Sequence, residues 1–284
     1  MFPEAWRFHI APYVNEAVQW LLHSFAPTFD RMAASITSLL GAISRGLTFI
    51  PWWAYVLFIG LAAWRATRRW TSAIILGLMP LLIGLFGLWT LAVDTLAIII
   101  ASVLLALLLG IPVGVLMAEA KGTTKFITPL LDGMQTMPSF VYLIPAMMLF
   151  GLGKVPAVFA TLIYAMPPVI RLTHLGLSQV PKPVQEAAKA YGATRWQLLR
   201  EVRLPLAMPS IMAGINQTTM MALSMVVVSS MIGARGLGQE VLLSINRIDV
   251  GKGFESGLSI VIMAIVIDRI TQGFARRFEP HRQN

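Results

Sequence analysis

The sequence predicts an all-α polytopic membrane protein with about seven transmembrane helices. Three observations carry that reading. Of the 284 residues, 57% are hydrophobic and only 12% are charged, about half the charge of an ordinary soluble domain. So few charges cannot coat a water-exposed globule of this size. The apolar residues also run in long blocks, many near the ~20 residues a helix needs to cross the hydrocarbon layer. Finally, the blocks lack the in–out alternation of a membrane β-barrel. Together these features exclude a soluble enzyme, a disordered tail and a coiled coil. The absence of cysteine further excludes a disulfide framework, a thiolate zinc site and a redox couple.

The chain divides into an N-terminal external tail, 1–47, and a transmembrane domain, 48–284. Met1 to Arg7 carries Glu4 and no basic cluster before an apolar core, so it makes a poor signal peptide. Met32, Ile36, Leu39, Leu40, Ile43 and Leu47 recur at helical spacing among Ser and Thr. That pattern predicts an amphipathic helix on the outer surface or against the bundle. A short extra span is the alternative, opposed by Asp30, Arg31 and Arg45 at its ends.

Seven apolar blocks follow, at 48–65, 71–89, 91–118, 135–151, 155–171, 207–231 and 256–273. The second and third are split near Gly87–Thr90, because Thr71 to Ala118, with Asp94 as its sole charge, is too long for one crossing. Pro112, Pro138, Pro145, Pro167, Pro168 and Pro209 lie within or beside blocks. Each removes a helical hydrogen bond, which membrane helices tolerate where neighbours or water satisfy the freed carbonyl. With the N-terminus outside, the inner segments carry twice as many Lys and Arg as the outer ones. The outer set is Arg7, Arg31, Arg45, Lys154, Arg235, Arg247 and Lys252. The excess favours an external N-terminus and a cytoplasmic C-terminus. In such a protein the net charge of +9 reports cytoplasmic loops rather than nucleic-acid binding.

The most informative stretch is VPKPVQEAAKAYGATRWQLLREVRLPLAMPSIMAGI, 180–215, cytoplasmic on this topology. Gln185 to Tyr191 holds good helix formers, and Gly192 suits the left-handed residue that ends a helix. Thr194 with Gln197 forms a capping box that starts a second short helix, expected to stop before Pro205. The result is a compact cytoplasmic knob, 181–205, either a plain surface loop or a lever fitted to another protein's groove.

Glu186-Ala187-Ala188, then Gly192, then Leu204-Pro205 resembles the EAA signature of permease subunits of bacterial ABC importers. Alanine-rich helices are common, so the triplet alone carries little; the glycine and Leu-Pro at the expected spacing give the match its weight. The stretches at 130–158, 166–181, 204–239 and 265–272 are similar to the glycine betaine/proline permease family, and the likeness covers roughly 90–272. The resemblance implies the type I ABC importer permease fold. It also implies a homodimer joined by two cytoplasmic ABC ATPase subunits and an external substrate-binding protein. ATP and Mg would then sit on the partner, and this chain would be no enzyme and hold no cofactor. Residues Glu186, Ala187, Ala188, Gly192, Leu204 and Pro205 would couple to the ATPase, and the solute would be an osmoprotectant such as glycine betaine or proline betaine. Choline, a carnitine-like compound or an amino acid stays open as cargo of the same architecture.

For a translocation pathway the sixth block offers Asn216, Gln217, Thr218, Thr219, Ser224, Ser229 and Ser230. Facing lipid they would be costly, so they should face the bundle or a dimer axis; helix–helix hydrogen bonding explains them about as well. Tyr142, with Phe140, Phe150, Phe159 and Tyr164, could brush a quaternary ammonium, although packing explains each. Asp94 is an intramembrane carboxylate near the outer end of its span. Asp268 next to Arg269 reads as an interfacial ion pair. His9, His23, His174 and His281 show no metal spacing, and GARGLG, 233–238, is not a nucleotide loop. An ion-coupled secondary transporter is the less favoured alternative, since it would be expected to show buried carboxylates or His relays. A membrane scaffold would not need the proline-broken spans.

Overall fold

The computed structural model describes residues 10–275 apart from Lys121. The stretch Met1 to Arg7 weighed above as a signal peptide, with His9 and His281, lies outside these residues, as do Lys121, Arg276, Arg277 and Arg282 of the inner basic set.

The first helix among the described residues, α1 (Ala11–Phe49), is far longer than the amphipathic stretch expected at 32–47. Phe25 leaves helical dihedrals two residues before Pro27, which lies inside the helix, because proline cannot bond the carbonyl four residues back. In the second half the apolar stripe docks on the bundle. Ile36 and Leu40 are buried, and Leu39 and Ile43 join the same core. After Ile50 and Pro51 the chain turns 97° into α2 (Trp52–Thr67).

Helix α2 pairs with α3 (Trp70–Leu85) across a turn in which Arg68 is left-handed. The pair packs through glycines: a Cβ on Gly77 would lie 3.2 Å from Gly60 Cα and from the Val56 carbonyl. Small residues allow this backbone approach between membrane helices. The break expected near Gly87–Thr90 falls at 86–88, where Gly87 adopts a φ of +72°. There follows α4 (Trp89–Glu119), the most apolar of the helical stretches long enough to cross a membrane.

The block at 135–151 does not form one rod. α5 (Thr123–Thr136) ends at Met137 and Pro138, a 3-10 turn covers Ser139–Tyr142, and α6 (Leu143–Phe150) completes it. α7 (Lys154–Ala165) and α8 (Pro167–Ser178) form the next span, Lys154–Ser178. α9 (Lys182–Ala190) and the single turn α10 (Arg195–Gln197) come next. A π-helical turn, Leu198–Arg203, then leads into α11 (Leu204–Ser229). After a further 3-10 turn come α12 (Leu237–Arg247), outside every expected block, and α13 (Val250–Ala275).

Among the described residues four helical stretches are long and apolar enough to cross a membrane: Trp89–Glu119, Lys154–Ser178, Arg195–Ile232 and Val250–Ala275. α2 and α3 have 16 residues each, about 24 Å at 1.5 Å per residue and short of a ~30 Å hydrocarbon layer. Seven apolar blocks are thus present, but not as seven equal crossings; Pro138 and the glycine and proline turns cut three of them short.

The core lies where α4, α7, α11 and α13 meet, around Ile98, Ile99, Val158, Met225, Val226 and Ile262. α4 and α8 touch through Gly110 and Gly114; a Cβ on Gly114 would lie 2.6 Å from Thr173 Cβ. Large apolar side chains elsewhere face outward, among them Leu104, Leu108 and Leu116 on α4 and Ile74, Ile75 and Leu78 on α3. In water this would be an aggregation surface, whereas against acyl chains it costs nothing.

Candidate functional site: the coupling segment

Helix α9 stands off the bundle. None of its residues is buried, and Glu186 and Ala187 are exposed with Ala188 half-buried. Pro181 precedes it and Pro183 lies in its first turn, where a missing N–H leaves nothing unpaired. Gln185 folds its Nε2 back to donate to the Val180 carbonyl at 2.8 Å. The far end closes as expected from the sequence. Gly192 has a φ of +85°, its N–H donates to Lys189 O at 2.9 Å, and Ala193 N–H donates to Ala188 O at 3.1 Å. These paired bonds satisfy carbonyls that a helix end otherwise leaves open.

Thr194 then starts the next turn. Its Oγ1 accepts from Gln197 N–H at 3.3 Å, while Gln197 Oε1 accepts from Thr194 N–H at 2.9 Å; the capping box is present in full. The expected stop before Pro205 is not observed. Helix runs unbroken from Arg195 to Ile232, and Pro205 occupies the first turn of α11. The widened π turn ahead of it explains this: with bonds spaced i→i+5, the backbone there need not supply the bond that Pro205 cannot make. Leu204 packs against Leu177, Leu199, Ala207 and Ile211. The segment is therefore anchored by its second half and free along its first. Tyr191 is 95% exposed and Trp196 65%, so two aromatic rings project from this knob.

Arg203 anchors it further. Its guanidinium pairs with Glu119 at the end of α4, and Nη2 donates to Leu177 O at 3.1 Å. Arg171 on α8 pairs with Asp132 on α5. Spacing along the chain gave no signal for either pair, because the partners lie 84 and 39 residues apart.

The residues expected along a pathway separate. Gln217 and Ser224 lie on one open face of α11, two turns apart, and Ser224 returns its hydroxyl to Met220 O at 3.2 Å. Thr218 is fully buried. Thr219, Ser229 and Ser230 each donate to a carbonyl of their own helix, the usual way a hydroxyl is satisfied in a membrane helix. Asn216 Nδ2 reaches Asp268 Oδ1 at 3.3 Å, and Gln272 Nε2 donates to the same carboxylate at 2.7 Å. Asp268 thus belongs to an interhelical network; no ion pair joins it to Arg269 among the described residues, since adjacent helical residues point apart. Tyr142 is buried, and its hydroxyl donates to Met134 O. That carbonyl is orphaned where α5 ends and lies four residues before Pro138, which has no N–H to offer it.

At the opposite end of α4, Asp94 is no lone carboxylate. Lys154 Nζ lies 2.5 Å from Oδ1 and Arg235 Nε 3.5 Å from Oδ2. Beside it, Leu237 N–H donates to Thr95 Oγ1 at 2.8 Å and Gly153 N–H to Ile232 O at 2.9 Å. A Cβ on Gly236 would fall 2.5 Å from Thr95 Oγ1, so glycine is needed for that approach. No group of three or more His, Cys, Asp or Glu that could hold a metal ion occurs among the described residues.

Comparison with known proteins accords with this geometry. Residues 110–284 match the family described as binding-protein-dependent transport system inner membrane component. The chain is 43% identical to the glycine betaine/proline betaine transport system permease protein ProW of Escherichia coli K12, over 93% of this chain and 74% of that one. It is also 43% identical to the glycine betaine transport system permease protein OpuAB of Bacillus subtilis, over 94% of both. Identity to the glycine betaine/carnitine transport permease protein GbuB of Listeria monocytogenes is 44%, over 94% of this chain and 96% of that one. Among solved structures, a chain of the methionine ABC transporter MetNI superposes with a TM-score of 0.60 at 22% identity, covering 66% of this chain and 94% of that one. The chain therefore belongs to the family of binding-protein-dependent transport system inner membrane components, and its fold is that of an ABC importer permease.

Proposed function

We infer that this chain is the membrane permease of an ATP-driven importer that brings glycine betaine or a closely related methylated ammonium solute into the cytoplasm. The observation that carries the reading is α9: an exposed helix, closed by a left-handed glycine, hung from a well-anchored turn between two spans. A helix with no core of its own needs an external groove to hold it. ABC ATPase subunits supply that groove, and they bind the ATP and Mg. Two copies of the chain form the pore, with α9 and the C-terminus cytoplasmic and the N-terminal tail outside. Residues 48–284 are the permease domain, and an external binding protein selects the solute.

In this scheme ATP binding draws the two ATPases and the two α9 helices together, and the bundle opens toward the loaded binding protein. Glu186, Ala187 and Ala188 lie against the ATPase, Gly192 sets the turn, and Leu204 and Pro205 lead the motion into α11. Gln217 and Ser224, on the open face of α11, line the path; Asn216 ties that helix to α13 through Asp268, Thr218 packs inside the bundle, and Tyr142 holds the break at Pro138. The solute assignment draws on the relatives, which span nearly the whole chain. Co-reconstitution with the cognate ATPase and binding protein tests it. ATP-dependent accumulation of radiolabelled glycine betaine is expected; uptake that survives without ATP and collapses with the ion gradient would overturn it.

A further inference from the structure

Movement of α9 has two structural routes into the membrane. One is covalent: helix continues from Arg195 to Ile232, so a push on the segment reaches α11. The other runs through one side chain. Arg203 is the last residue of the π turn, and its side chain is only 12% exposed. It pairs with Glu119, the last residue of α4, and donates to Leu177 O at 3.1 Å in the final turn of α8. Two helices thus end on one guanidinium. The last carbonyls of a helix lack intrahelical partners and carry the negative end of its dipole, so a cation here is held by two helix ends and a carboxylate together. Arginine suits the place because its planar fork can bond in several directions at once, which a lysine ammonium does less well.

The surroundings make this junction stiff. α4 and α8 are pressed together at Gly110 and Gly114, where a Cβ would come within 2.5 and 2.6 Å of the facing helix. Leu199, four residues before Arg203, is buried among Leu177, Ala207 and Ile211. α9 contacts this same π turn and has no buried residue of its own.

We propose that Arg203 is a positioning residue for coupling: it makes α4 and α8 follow α9, so that the drive of the ATPase reaches three helices rather than α11 alone. The proposal rests on the importer reading above. Without Arg203 the ATPase still grips α9 and turns over, but α4 and α8 no longer move with it.

The test uses the full complex of permease, ATPase and loaded binding protein in liposomes and counts solute imported per ATP hydrolysed. Arg203→Gln is expected to lower that ratio roughly tenfold, the scale on which single residues modulate coupling, with basal hydrolysis within about twofold of the parent. Arg203→Lys, which keeps the charge and loses the fork, should fall between the two. Arg203→Glu should regain part of its ratio when combined with Glu119→Arg. A purely structural role would lower yield and thermal midpoint and leave the ratio intact, which would overturn the proposal. If Arg203→Gln does not assemble, Glu119→Gln decides, because it keeps the bond to Leu177: a lowered ratio supports the proposal and an unchanged one overturns it. A parent complex with no ATP-driven uptake would overturn the importer reading itself, so the two failures are told apart.

Discussion

Gly192 offers the cleanest perturbation of the proposed coupling segment. Its φ is +85°, and a Cβ built there meets nothing within 4 Å. A substitution therefore causes no clash, and its whole cost is backbone strain. A left-handed conformation costs an ordinary residue about 1–2 kcal/mol, with Asn the mildest exception. Gly192→Ala should sit near the low end and Gly192→Val at the high end. If the turn must be closed for the ATPase to dock, the apparent affinity falls with the closed fraction. That corresponds to at most about fivefold for Ala and roughly thirtyfold for Val, the full strain being felt where the open turn is the favoured free state. The assay titrates purified ATPase against permease in nanodiscs and reads the concentration giving half-maximal solute-stimulated hydrolysis. Membrane yield should not change, because the turn lies outside the packed core. A Val variant that needs no more ATPase than the parent, or an Asn variant as weak as Val, would refute the reasoning.

Three further outcomes follow from the packing and the hydrogen bonds. Tyr142→Phe leaves Met134 O without its donor and should cost about 1–2 kcal/mol, read as a lower thermal midpoint in detergent by fluorescence-detected gel filtration. Gly114→Leu drives a side chain into Thr173 and the Ile170 carbonyl; α4 and α8 must part, and a loss of 1–3 kcal/mol or more, typical of overpacking, should appear as poor yield of monodisperse protein. Asp94→Asn takes the carboxylate from Lys154 and Arg235. It should cost about 1–3 kcal/mol, less at high salt because Arg235 is well exposed, as measured by midpoints at low and high ionic strength.

What the sequence made legible was whatever local rules decide. The left-handed Gly192, the Thr194–Gln197 box and the break at Gly87 each depend on a few neighbouring residues, and each is found where expected. The helix stop at Pro205 was not, because that rule takes regular α-helix before the proline, whereas a π turn relieves the missing bond. Pairs such as Asp94 with Lys154, 60 residues apart, are tertiary and leave no trace in spacing. α12 escaped notice because a helix of 11 residues with a polar face resembles a loop when spans are sought by apolar length. Among the polar residues of α11, composition could not separate Gln217 and Ser224, which are open, from Thr218, which is buried; only the packing of α7 and α8 against that helix does so.

The absence of native cysteine makes the central claim directly measurable. Tyr191→Cys places a single thiol at a position 95% exposed, beside the glycine turn that closes α9. A membrane-impermeant maleimide should label it in inverted membrane vesicles and not in right-side-out spheroplasts, and prior assembly with the ATPase should protect it. Labelling from the outside, or equal labelling with and without bound ATPase, would contradict a cytoplasmic handle held by a separate motor.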